Sequence, residues 1–178
     1  MRVFSAAVAI MAAAPAFAQG PTGAPDALAA RILAAHNRER ASVGSPPLAW
    51  DPALAAAAAS YGPALAASGS LQHSPKASRP GQRENLWRGT RGAYSPEQMI
   101  ASWSAEKRYF RPGIFPNVST TGNWLDVSHY STMIWPTTSR VGCAVYSAGS
   151  WDYLICRYSP PGNIDGRPLL LPVEGERG

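Results

Sequence analysis

The chain has 178 residues, 46% of them hydrophobic, and its 16 Lys and Arg against 11 Asp and Glu give a formal net charge of +5. That length fits one domain with a sizeable core and argues against a second. The positive balance is mild and accompanies no helix-turn-helix, zinc-finger or aromatic-plus-basic RNA motif, so it reads as solvated surface, with no nucleic-acid partner.

Arg2, an apolar run from Val3 to Ala14, and Ala16-Phe17-Ala18 before Gln19 have the order of a cleaved export signal. Residues 1–18 are expected to be a signal peptide and 19–25 a Gly/Pro-rich, mobile lead-in. The apolar run is shorter than the roughly 20 residues a membrane-spanning helix needs, and no later stretch is longer or more apolar, so no transmembrane segment is predicted. Export implies an oxidising compartment, in which the two cysteines read as one structural bridge.

From Asp26 to Ala41, Leu28, Ile32 and Ala35 recur at helical spacing, and Gly44-Ser45-Pro46-Pro47 ends the pattern. His36 and Arg40 lie one turn apart on this helix, and His36 is expected to be structural. Asp51-Pro52 is an N-cap followed by proline at the first helical position, opening a second helix with Leu54, Ala58, Tyr61 and Leu65 on one face. Gly62-Pro63 predicts a kink or early stop near Tyr61, because proline removes a bond to the preceding turn. Gln82–Trp87 reads as a strand. Around it Arg79, Arg83, Arg88 and Arg91 surround Glu84, either as solvated charge or as an attractor for an anionic ligand or lipid head group.

Ser95-Pro96-Glu97-Gln98 has a capping-box start for a third helix through about Tyr109. Met99, Trp103 and Phe110 define its apolar face, and Glu106 projects on that face. A carboxylate there needs a partner unless it sits at the rim. Residues 111–123 read as a loop, and a short fourth helix from about Asp126 to Trp135 carries His129. Val141, Cys143 and Val145 then alternate with smaller and polar residues, Tyr153–Tyr158 is β-branched and aromatic, and Ser147–Asp152 is turn-like. In the resulting hairpin Cys143 and Cys156 fall opposite each other, within reach of a disulfide. Helices first and the hairpin last indicate α+β, an antiparallel sheet covered by helices. The Pro/Gly-rich residues 165–178 are expected to be a tail that wraps the surface or moves freely.

Four motifs carry a resemblance. His129-Tyr130-Ser131-Thr132-Met133-Ile134-Trp135 with Thr138, and Tyr153 through Asn163 (YLICRYSPPGN), are similar to the two signatures of the CAP superfamily. That group, also called SCP/TAPS, includes cysteine-rich secretory proteins, venom antigen 5 and plant pathogenesis-related protein 1. His36-Asn37-Arg38-Glu39-Arg40 resembles its HNxxR element, and Glu84-Asn85-Leu86 its GENL element, with Arg83 in place of glycine. Thr132 and Pro136 are further departures. The resemblance spans roughly residues 27–164 and implies an α–β–α sandwich, with a CAP domain over 26–164. Alanine richness, arginine over lysine and sparse cysteine point to a bacterial, secreted or periplasmic member.

The resemblance also implies a site. In the family two histidines and two glutamates converge in a cleft, and the matching positions are His73, Glu84, Glu106 and His129. Two imidazoles and two carboxylates suit Zn2+ or another divalent cation, with His73 and His129 as direct contacts and the glutamates as orienters. No H-E-x-x-H or G-x-S-x-G motif occurs, and a bridged cysteine pair leaves no free thiol nucleophile. Three readings stand open. The first is a secreted binding protein for a small apolar ligand, a lipid or sterol. The others are a metal-assisted hydrolase with Glu84 or Glu106 as general base, and a structural or partner-binding envelope protein.

Overall fold

The computed structural model describes residues 27–170, so the expected signal peptide, the lead-in and residues 171–178 lie outside the described residues. Helix α1 spans Ala27–Ser42 and is followed by a two-residue strand β1, Ala49–Trp50. Helix α2, Pro52–Ala67, starts as the Asp51-Pro52 pair predicts: Asp51 Oδ1 accepts from the amides of Ala53 and Leu54. It does not stop at Tyr61. Gly62 lies so close to Tyr146 that a Cβ there would stand 2.5 Å from the ring, and Leu65 is fully buried beyond it. Packing of that face holds the helix together past the missing Pro63 amide.

Strand β2 is Arg83–Thr90, helix α3 is Pro96–Ser104, and the Ser95/Gln98 capping box is formed in both directions. The predicted third helix tightens into a 3-10 turn over Ala105–Tyr109, which carries Glu106. Strand β3 is Gly113–Ile114, inside the expected loop. The short helix α4 is Ser128–Ile134, entered through a 3-10 turn over Trp124–Val127. Strands β4 (Arg140–Ala148) and β5 (Trp151–Ser159) form the hairpin, and Cys143 pairs with Cys156 in register and is bonded to it.

The main sheet has the order β1-β4-β5-β2. Its three long strands are antiparallel, and β1 adds to the edge in parallel. Alternation along β5 divides the core. Tyr153 and Ile155 pack with Ala58, Leu65 and Leu86 under α2. Leu154, Cys156 and Tyr158 face the larger core of α1, α3 and α4, with Ile32, Ile100 and Met133. This is the expected α–β–α arrangement. The described start of the expected tail is more ordered than predicted: strand β6, Pro168–Leu169, pairs with β3, and Leu169 is fully buried. An apolar side chain with a vacant place in the core binds the segment down despite its turn-rich sequence.

The polar HNxxR element lies inside this core. His36 Nδ1 donates to Ile32 O (2.9 Å) and its Nε2 accepts from the Tyr158 hydroxyl (2.8 Å), which is a structural role. Arg40, also fully buried, donates to the carbonyls of Pro46, Met133, Trp135 and Thr138. It thereby ties α1 to the chain leaving α4, whose last carbonyls have no helical partner.

Candidate functional site

Strand β2 is the edge strand beside β5, and two histidine–glutamate pairs meet it. Glu84 shares a face of β2 with Leu86, the face covered by α2, while Asn85 points to the other. Glu84 is buried, and both its oxygens are engaged. Oε1 accepts from His73 Nδ1 (2.8 Å) and Ser74 N (3.0 Å), and Oε2 accepts from Ser74 Oγ (2.9 Å). Arg157 Nε lies 2.9 Å from Oε2 as an ion pair, because strand register sets Glu84 directly across from Arg157. Burial alone would raise the Glu84 carboxyl. The His73 hydrogen bond, the Arg157 charge and the two Ser74 donors together hold it below the usual carboxylate range.

The second pair lies on the opposite side. Glu106 Oε1 accepts from His129 Nδ1 (2.6 Å), and Oε2 accepts from the amides of His129 (2.9 Å) and Tyr130 (3.0 Å). Those amides belong to the first turn of α4, which has no side-chain cap of its own, so the carboxylate serves as the missing cap. The His129 ring stacks on Trp103 with centroids 5.9 Å apart and planes 7° from parallel. Asn85, beside Glu84, donates to His129 O (3.1 Å) and joins the two pairs across the strand.

The structure therefore brings His73 to Glu84 and His129 to Glu106, as two pairs astride β2. Among the described residues no group of three or more His, Cys, Asp or Glu forms a metal cage. Each pair nonetheless has the chemistry of a ligand with its orienter. The carboxylate holds the imidazole proton on Nδ1, so Nε2 keeps its lone pair, and neither Nε2 has a partner among the described residues. The side chain of His73 is 50% exposed and that of His129 31%. An ion held by both imidazoles would take two nitrogens from the protein and complete its shell with water or ligand.

The resemblance named the four titratable residues but gave no place to Ser74, Arg157 and Asn85, which contact them. Arg157 stands inside the last motif, but only strand register reveals that it faces Glu84. The arginines expected around Glu84 also separate. Arg88 donates to Gly69 O and lies over Trp151, while Arg79 and Arg83 turn toward residues 161–164.

Comparison with known proteins agrees with this architecture. Residues 33–158 match the Cysteine-rich secretory protein family, CAP. Pathogenesis-related protein 1C of Nicotiana tabacum is 36% identical over 137 residues, 76% of each chain. The Ancylostoma secreted protein of Ancylostoma caninum is 30% identical and aligns with 83% of this chain and 40% of its own length. The crystal structure of NaASP2 with Zn2+ superimposes with a TM-score of 0.68 at 23% identity, covering 82% of this chain and 88% of that one.

Proposed function

The chain belongs to the Cysteine-rich secretory protein family, and from that premise we propose that it is an exported binding protein in which His73 and His129 supply the protein ligands of a divalent cation, zinc first. One observation carries the reading: each imidazole has Nδ1 committed to a glutamate and Nε2 without a partner among the described residues, on a side chain that is partly exposed. NaASP2, which shares the fold, is a zinc-containing structure. When bound, such an ion supplies a charged, ligand-accepting centre at the strand edge. The small apolar ligand, lipid or sterol, rests on family membership alone. A bacterial, periplasmic placement rests on composition.

The carboxylates favour binding over hydrolysis. A general base works best with a pKa near the operating pH and a free oxygen for the proton. Glu84 is held below the usual range with both oxygens engaged, and both Glu106 oxygens are engaged too. No described helix is long and apolar enough to cross a membrane.

Calorimetric zinc titration tests the assignment. We expect binding by the wild type, with affinity falling as the solution is acidified, because proton and metal compete for the same lone pairs. The His73→Ala/His129→Ala double variant should lose binding, and Glu106→Gln should weaken it roughly tenfold or more through lost ring orientation. Equal affinity in wild type and double variant would refute the metal reading. Metal-dependent peptide or ester turnover that collapses in Glu84→Gln or Glu106→Gln would replace the binding protein with a hydrolase.

A further inference from the structure

Behind the start of β2 lies a cavity of about 270 Å³ with Lys76, Arg79 and Arg83 on one side and residues 161–164 on the other. Arg79 is buried and fixed by two carbonyls: Nε donates to Ser74 O (3.1 Å) and Nη1 to Gln82 O (3.2 Å). Arg83 is fixed by Gly162 O (2.9 Å, from Nε) and Asn163 O (2.6 Å, from Nη2). Carbonyls orient a guanidinium without cancelling its charge. None of the ion pairs among the described residues involves Lys76, Arg79 or Arg83. Glu84 is committed to Arg157, His73 and Ser74. Arg83 is held below the ordinary guanidinium range, first by burial and then by the charge of Arg79, with Asp165 acting the other way.

Two further details describe what is wanted there. Arg79 Nη2 and Arg83 Nη1 have no partner among the described residues, so each pre-oriented guanidinium still has donors to give. Asn163 lines the same cavity at 5% exposure, and its Nδ2 is anchored by Ser128 O and Thr132 Oγ1. Its Oδ1 is buried without a hydrogen-bond partner.

We propose that this cavity binds a phosphate-class anion, with Arg79 and Arg83 as the fixed donors and Lys76 as the mobile counter-charge at its mouth. Guanidinium forks match tetrahedral oxyanions, and three cations outside any described ion pair suit a dianion better than a single carboxylate. The volume lies below the roughly 300–1,000 Å³ of sites for larger organic ligands, so it fits a free phosphate or the head group of a phosphorylated molecule whose remainder lies outside. The site is separate from the histidine–glutamate pairs and does not depend on a bound metal.

Calorimetry with inorganic phosphate, in the presence of a metal chelator, tests the site. Lys76 is exposed and its side chain makes no described contact, so Lys76→Gln leaves the carbonyl network intact. It should weaken phosphate roughly tenfold, and Lys76→Gln/Arg83→Gln should abolish binding, with circular dichroism confirming the fold. A parallel sedimentation assay uses phosphatidylcholine vesicles with and without phosphatidic acid. Phosphate binding joined by selective capture on phosphatidic acid assigns a lipid head group, and phosphate binding without capture assigns a soluble phosphate. Absence of saturable phosphate binding by the wild type, or equal affinity in wild type and double variant, overturns the proposal.

Discussion

Replacing His36 by glutamine removes a fully buried imidazole that links Ile32 O to the Tyr158 hydroxyl. Burial, seconded by the charge of Arg40, pushes its pKa down to about 4 against the Ile32 hydrogen bond, which raises it. In the unfolded chain a histidine titrates near ~6.5. Between those values the unfolded state holds more protons than the folded one, so stability must fall as the solution is acidified. The contribution is fully present above ~6.5 and is lost as the pH falls toward ~4. At about 1.4 kcal/mol per pKa unit, it amounts to about 2 kcal/mol by pH ~5 and about 3 kcal/mol at the lower limit. Urea unfolding of wild type and His36→Gln across this range reads it directly, because the other titrations cancel in the difference between the two proteins. The wild-type curve should fall more steeply with acid, narrowing its advantage by about 2 kcal/mol between pH ~7.5 and ~5. Parallel pH profiles would show that His36 takes up its proton in the folded state as readily as in the unfolded one, and the buried neutral linkage would be wrong.

Reducing the Cys143–Cys156 bridge, which closes a sequence separation of 13 residues, should cost roughly 3 kcal/mol, read as a lower guanidinium midpoint; an unchanged midpoint would rule out a stabilising role. A Cβ at Gly142 would stand 2.3 Å from Ala55 N and 2.4 Å from Asp51 O, backbone atoms of the α2 start that cannot step aside. Gly142→Ala should therefore destabilise by about 3 kcal/mol in thermal unfolding, and a variant as stable as wild type would contradict the close approach of β4 to α2.

Periodicity and capping chemistry are local, and the elements that depend on them were legible. The Asp51-Pro52 start, the Ser95/Gln98 capping box and the paired cysteines all formed as their residues require. The failures came where a distant surface outweighs a local preference. Gly62-Pro63 reads as a helix stop, yet the glycine is what allows α2 to lie against Tyr146. The Pro/Gly-rich tail reads as wrapping the surface or moving freely, yet in its described start Leu169 fills a place in the core.

For the site the division is similar. The family resemblance named His73, Glu84, Glu106 and His129 as one set, because a motif carries chemistry in the identity of its residues. Their grouping into two pairs depends on the pleat of β2, which sends Glu84 and Asn85 to opposite faces, and on the register that sets Arg157 against Glu84. The basic cavity depends on the return of residues 161–164 to β2, some eighty positions along the chain, where two carbonyls hold Arg83. Side-chain chemistry is written in the sequence residue by residue, whereas charge compensation, tautomer and accessible lone pairs belong to neighbours that only folding brings within about 3 Å.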